Sequence, residues 1–82
     1  MTKQSQEWYS LTEEQLWRLI GQGTSPGADA ALERVRKIKE AGRAFAIYYS
    51  EFSGFQVLDE GDPNEMRRSL SLRNRAKPFT RV

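Results

Sequence analysis

At Gly42 the hydrophobic pattern of this chain changes period, and that change limits the fold more than any other feature. Before it, Ala28, Ala31, Leu32, Val35 and Ile38 recur at three- and four-residue intervals, the stripe of an amphipathic helix. After it, Arg43 to Ser50 alternates and is rich in aromatic and β-branched residues, as is Phe55 to Glu60, with Phe52-Ser53-Gly54 between them. That is the signature of a β-hairpin. With 82 residues, a chain buries only about 60% of its unfolded surface, so helix and hairpin must share one modest core. The expected class is α+β: two N-terminal helices, a β-hairpin, and a short C-terminal helix or third strand followed by a basic tail.

The helix starts are written in cap chemistry. In Leu11-Thr12-Glu13-Glu14-Gln15-Leu16, Thr12 caps, Gln15 bonds back three residues later and Leu11 packs on Leu16, so the first helix begins at Glu13. It presents Leu16, Leu19 and Ile20 on one face, with Trp17 also expected to help bury it, and Gly21 and Gly23 end it. For the second helix Ser25 is the expected cap, Pro26 the first helical position and Gly42 the terminator.

A hairpin turn with Gly54 left-handed places Glu51 opposite Phe55 and Tyr49 opposite Val57. Phe45, Ile47, Tyr49, Phe55 and Val57 then face the helices. Ala44, Ala46, Tyr48, Ser50, Gln56 and Leu58 form the other face, leaving Tyr48 and Leu58 exposed.

The last segment has two readings. Asp62-Pro63-Asn64-Glu65 resembles a capped helix start with Met66 and Leu70 four apart, whereas Ser69-Leu70-Ser71-Leu72-Arg73 alternates like a strand. Of the two we take the short helix. Residues 1–9 are expected to be a flexible segment, 10–74 a single domain, and 75–82 a basic tail in which Pro78 stops regular structure.

Composition narrows the function classes. Hydrophobic residues make up 38% of the chain and charged residues 29%, a globular balance. With no histidine and no cysteine, the chain lacks the usual acid–base group near neutral pH, the best nucleophile, and the thiolates of disulfides or metal sites. We therefore expect no enzyme, no cofactor and no metal. Asp59-Glu60-Gly61-Asp62 lacks calcium-loop spacing, and Gly21 to Gly27 follows a helix, not the strand that a nucleotide loop requires. No apolar run approaches the roughly 20 residues needed to span a bilayer, and no hydrophobic signal region follows Met1, so the expectation is a cytoplasmic protein with no membrane partner.

The net charge of +2 conceals an asymmetry. Residues 1–65 carry seven basic and eleven acidic side chains, whereas residues 66–82 carry six basic and none acidic. Arg67, Arg68, Arg73, Arg75, Lys77 and Arg81 suit an acidic partner, and all but one are arginines, whose planar fork matches carboxylate and phosphate. Arg68 and Ser71 also have the spacing of a basic-residue kinase site. Trp8, Tyr48 and Phe52 are the aromatic interface candidates, with packing of Trp8 over the first helix as its structural alternative.

Three functions compete. The first is a protein-binding regulator or inhibitor with an acidic partner, comparable in size and style to phage or plasmid accessory proteins acting on nucleic-acid machinery. The second is a DNA-binding module of the winged-helix kind, with Arg34, Arg36, Lys37 and Lys39 on phosphates. The third is a subunit of a stable complex or homo-oligomer, its hairpin edge completed by a neighbour.

Overall fold

The computed structural model describes residues 7–23 and 25–80. The elements are β1 (Tyr9–Leu11), α1 (Glu13–Gln22), α2 (Ala28–Glu40), β2 (Phe45–Ser50), β3 (Gly54–Asp59), α3 (Pro63–Arg73) and β4 (Lys77–Pro78). The strands form one sheet in the order β3-β2-β1-β4, with β1 antiparallel to β2 and parallel to β4. It is a small α+β fold in which helices cover both faces of the sheet.

Local chemistry explains the helix ends. Thr12 and Gln15 close the capping box on α1, and Gly23 ends it in the left-handed conformation. Asp62 accepts from the Asn64 amide to start α3, with Pro63 in its first turn, so the helical reading of this segment holds. At α2 the expected cap is displaced. Ser25-Pro26-Gly27 forms a turn in which the Ala28 amide donates to the Ser25 carbonyl at 3.2 Å, and Gly27, at φ +87°, is the N-cap. A proline at the first helical position does not fix the start when a glycine just beyond it supplies the bend.

The hairpin forms with a register different from the expected one. Tyr49 pairs with Phe55, Ile47 with Val57 and Phe45 with Asp59. Gly54 is left-handed as expected, at φ +73°, but it already belongs to β3 and pairs with Ser50, so the loop is Glu51 to Ser53. The Ser53 amide donates to the Ser50 hydroxyl across it. The offset is two residues, and an even shift keeps every side chain on its expected face.

The first core lies between the sheet and the α1–α2 pair. It contains Leu11, Leu16, Leu19, Val35, Ile38, Ile47 and Val57, with Phe45, Tyr49 and Phe55 packed against it. The second core lies on the opposite face, where Trp8, Tyr48, Leu58 and Leu72 cluster beneath α3. This corrects the expected exposure of Tyr48 and Leu58, which are 3% and 2% exposed. The cause is α3: it carries Leu72 and Ser69 onto that face, and the Tyr48 hydroxyl donates to the Ser69 carbonyl at 3.1 Å.

The chain ends depart further from expectation. Of the segment expected to be flexible, residues 1–6 lie outside the described residues, while Trp8 is buried and Tyr9 opens β1. Trp8 lies across the sheet from α1 and therefore does not cover that helix. Residues 75–80 are no free tail. The Lys77 amide donates to the Trp8 carbonyl at 3.0 Å, the Phe79 amide donates to the Ser10 carbonyl at 3.2 Å, and Phe79 enters the first core. Pro78 is tolerated because β4 is an edge strand. Trp17, expected to help bury α1, is instead 55% exposed.

Candidate functional site

The basic residues separate by what they touch. Arg43 forks onto Asp59, its Nη2 2.8 Å and its Nε 2.9 Å from Oδ2. Arg34 donates to the Val57 carbonyl at 2.7 Å and to Glu65 at 2.7 Å, and Glu65 in turn accepts from the Asp59 amide. Arg36 pairs with Glu33, Lys39 with Glu13, and Arg18 with Glu14. Of the α2 cations named as phosphate contacts, only Lys37 forms no ion pair among the described residues.

The predicted C-terminal set divides in the same way. Arg73 donates to Glu60 at 2.9 Å, and the same carboxylate oxygen accepts from the Ser69 hydroxyl at 2.6 Å. Lys77 pairs with Glu7 at 3.3 Å, and that contact, with the Tyr9 hydroxyl, holds the Glu7 carboxyl below its ordinary pKa. Arg81 lies outside the described residues. Arg67, Arg68 and Arg75 are exposed and form no ion pair among the described residues.

Helix α3 brings these three together. It turns Ser69 and Leu72 inward, so Arg67, Leu70, Ser71 and Asn74 lie on the outer side, with Arg68 beside them. Past the helix end the Arg75 amide donates to the Leu72 carbonyl at 3.0 Å, which keeps the chain turning and leaves Arg75 near the same face. Leu70, 46% exposed, supplies an apolar element next to Arg67. The product is a basic face with one apolar contact, rigid because the opposite side of the helix is bolted to the sheet by Tyr48 and Leu72.

The predicted aromatic residues do not join it. Trp8 and Tyr48 lie in the second core, and Phe52, 78% exposed, stands at the hairpin turn. Of the apolar residues interleaved with the basic set in the sequence, Leu70 is exposed beside the arginines, whereas Leu72 and Phe79 are buried in the two cores and give that surface no apolar contact.

Neither weaker motif forms a site. Of the acidic run, Asp59 pairs with Arg43 and accepts from the Gly61 amide, Glu60 bonds Ser69 and Arg73, and Asp62 caps α3. Arg43, followed by the Gly61 amide, holds the Asp59 carboxyl below its usual pKa against the opposing effect of burial. These carboxylates serve three separate structural tasks. Of the glycine segment, Gly21 lies in α1, Gly23 caps that helix, and Ser25-Pro26-Gly27 forms the turn before α2, with Asp29 in the first helical turn.

The edges of the sheet are also partly blocked. On β3 the Val57 carbonyl and Asp59 amide are taken by Arg34 and Glu65, which removes that stretch from pairing with a neighbouring strand. No helix among the described residues is long and apolar enough to cross a membrane.

No protein-family model, curated protein or solved structure matches this chain.

Proposed function

We propose that this protein is a small non-enzymatic binding protein, a regulator or inhibitor that docks the outer face of α3 on an acidic protein surface. The observation that carries the reading is the division among the cations. Arg18, Arg34, Arg36, Lys39, Arg43, Arg73 and Lys77 have intramolecular carboxylate partners, whereas Arg67 and Arg68 on α3, Arg75 just past its end, and the separate Lys37 on α2 have none among the described residues. Arginines held on a rigid element with their guanidinium groups in solvent are already oriented for bidentate carboxylate contacts. Leu70 beside them supplies an apolar contact, a combination that fits a protein more closely than a phosphate backbone.

The rest of the charge supports the same choice. Residues 1–65 carry a net −4, which repels a polyanion, whereas a protein surface can match both signs. The absence of histidine and cysteine supports a role in binding over catalysis. The fitting partner presents carboxylates around an apolar residue, placed to meet Arg67 and Arg68 on α3 and Arg75 just past its end.

The test is affinity isolation from nuclease-treated lysate of the native host with three baits: the wild-type chain, Arg67→Ala/Arg68→Ala, and Arg18→Ala/Arg36→Ala. A protein retained by the first and third baits and lost from the second supports the reading. Retention by all three, or capture that disappears with nuclease, opposes it.

A further inference from the structure

The arginine face surrounds a serine. Ser71 follows Arg67 by four residues and Arg68 by three, the separations at which side chains on a helix adjoin, and it precedes Arg75 by four. Ser71 is exposed. The sequence Arg67-Arg68-Ser69-Leu70-Ser71 offers two hydroxyls to an enzyme that reads arginine, and the fold separates them. Ser69 is fully buried, donates to Glu60 at 2.6 Å and lies 3.3 Å from the Tyr48 hydroxyl. Ser71 stands in solvent, three residues after an arginine, within the last turn of α3, which ends at Asn74 without a left-handed cap.

We propose that Ser71 is a phosphorylation site whose phosphate is held by Arg67, Arg68 and Arg75, so that modification closes the basic face of α3. The modifying enzyme is a protein kinase that selects arginine three residues before its target, with a magnesium-bound nucleoside triphosphate as donor. The Ser71 oxygen attacks the γ-phosphorus, the bond to the β-phosphate oxygen breaks, and the diphosphate leaves with the electron pair. The hydroxyl proton passes to a carboxylate base of the kinase, and nothing is oxidised or reduced. Access requires the last turn of α3 to loosen, and the buried Leu72 holds that turn against the sheet.

The phosphate brings a charge of about −1.5 to −2 into a cluster of three exposed arginines. Its oxygens accept from the same guanidinium groups that would otherwise meet the partner's carboxylates. The loss of partner binding rests on the function proposed above; the modification itself does not.

The test treats the full chain with such a kinase and Mg-ATP and locates the phosphate by fragment mass. One phosphate at Ser71, absent from Ser71→Ala and gained faster in Leu72→Ala, is the expected result. The ³¹P titration should place the phosphoserine's second pKa below its ordinary value of about 6. That value should return toward 6 in Arg67→Ala/Arg75→Ala, which keeps the Arg68 spacing the kinase reads. Affinity for poly-L-glutamate should fall at least tenfold on phosphorylation. No incorporation into the folded chain, incorporation at Ser69, or an ordinary phosphate pKa overturns the site. If the site and its lowered pKa appear but poly-L-glutamate binding is the same in wild type and Arg67→Ala/Arg75→Ala, the site stands and the acidic-partner reading fails.

Discussion

Replacing Phe79 with alanine probes the least expected feature of the fold, the return of the C-terminal segment into the core. Phe79 is 5% exposed, and its ring meets Tyr9 edge-on at 6.0 Å and Tyr49 at 5.8 Å. Truncating a buried phenylalanine costs about 3–5 kcal/mol in transfer and cavity terms, of which aromatic pairs of this geometry account for about 0.5–1.5 kcal/mol each. A domain of 82 residues has a total stability of roughly 4–12 kcal/mol, so the change removes a large part of it. Urea unfolding followed by tryptophan fluorescence and far-ultraviolet circular dichroism measures the loss. With a slope of about 1.5 kcal/mol/M, the midpoint should fall by roughly 2 M or more. Lys77→Ala, which changes an exposed side chain on the same strand, should move it little. A chain ending at Asn74 also loses the β4 hydrogen bonds and the bond from Gln15 to the Phe79 carbonyl, and it should not melt cooperatively. A loss below about 1 kcal/mol for Phe79→Ala would refute this placement, because no buried aromatic ring is that cheap to remove.

Ile47→Ala should cost about 2–4 kcal/mol in the same assay, and a change under about 0.5 kcal/mol would mean that Ala46 and Tyr48 face the first core instead. Tyr48→Phe removes the hydroxyl that ties β2 to the Ser69 carbonyl and should cost about 1 kcal/mol, with an unchanged midpoint counting against the second core. Acid sensitivity should follow Asp59, whose folded pKa is depressed by Arg43. A depressed carboxylate contributes stability that is present above its unfolded pKa of about 3.9 and is lost as the pH falls through the folded value. The drop in melting temperature between pH 6 and pH 2 should therefore be smaller in Asp59→Asn than in the wild type, and equal drops would remove this pair from the acid response.

The elements specified by local chemistry were legible in the sequence. The Thr12–Gln15 box, the α2 stripe and the alternation either side of Gly54 each encode structure within a few residues. What escaped was encoded by distance. β1 has three residues and β4 two, too few to show a period of two; β1 exists because β2 and β4 flank it, and β4 because β1 supplies its hydrogen bonds. Tyr48 and Leu58 read as a thin solvent face because the helix that covers them carries only Leu72 and Ser69 as fully buried residues, a weak stripe by composition. The candidate face was half legible. Charge alone named the arginines, but it could not separate Arg73 and Lys77, tied to Glu60 and Glu7, from Arg67, Arg68 and Arg75. That separation depends on carboxylates more than ten residues away in sequence, which only the fold brings near.

The most direct measurement of the central claim is calorimetric titration of the captured partner, purified and free of nucleic acid, with the wild-type chain and with Arg67→Ala/Arg68→Ala. Truncating interfacial charges should weaken binding by about 1–3 kcal/mol, while affinity for random-sequence duplex DNA stays negligible at physiological salt. Equal affinity of the two chains for the partner would contradict the claim. So would a DNA complex of micromolar affinity whose slope of log affinity against log salt falls by about 0.7–0.9 with each arginine removed.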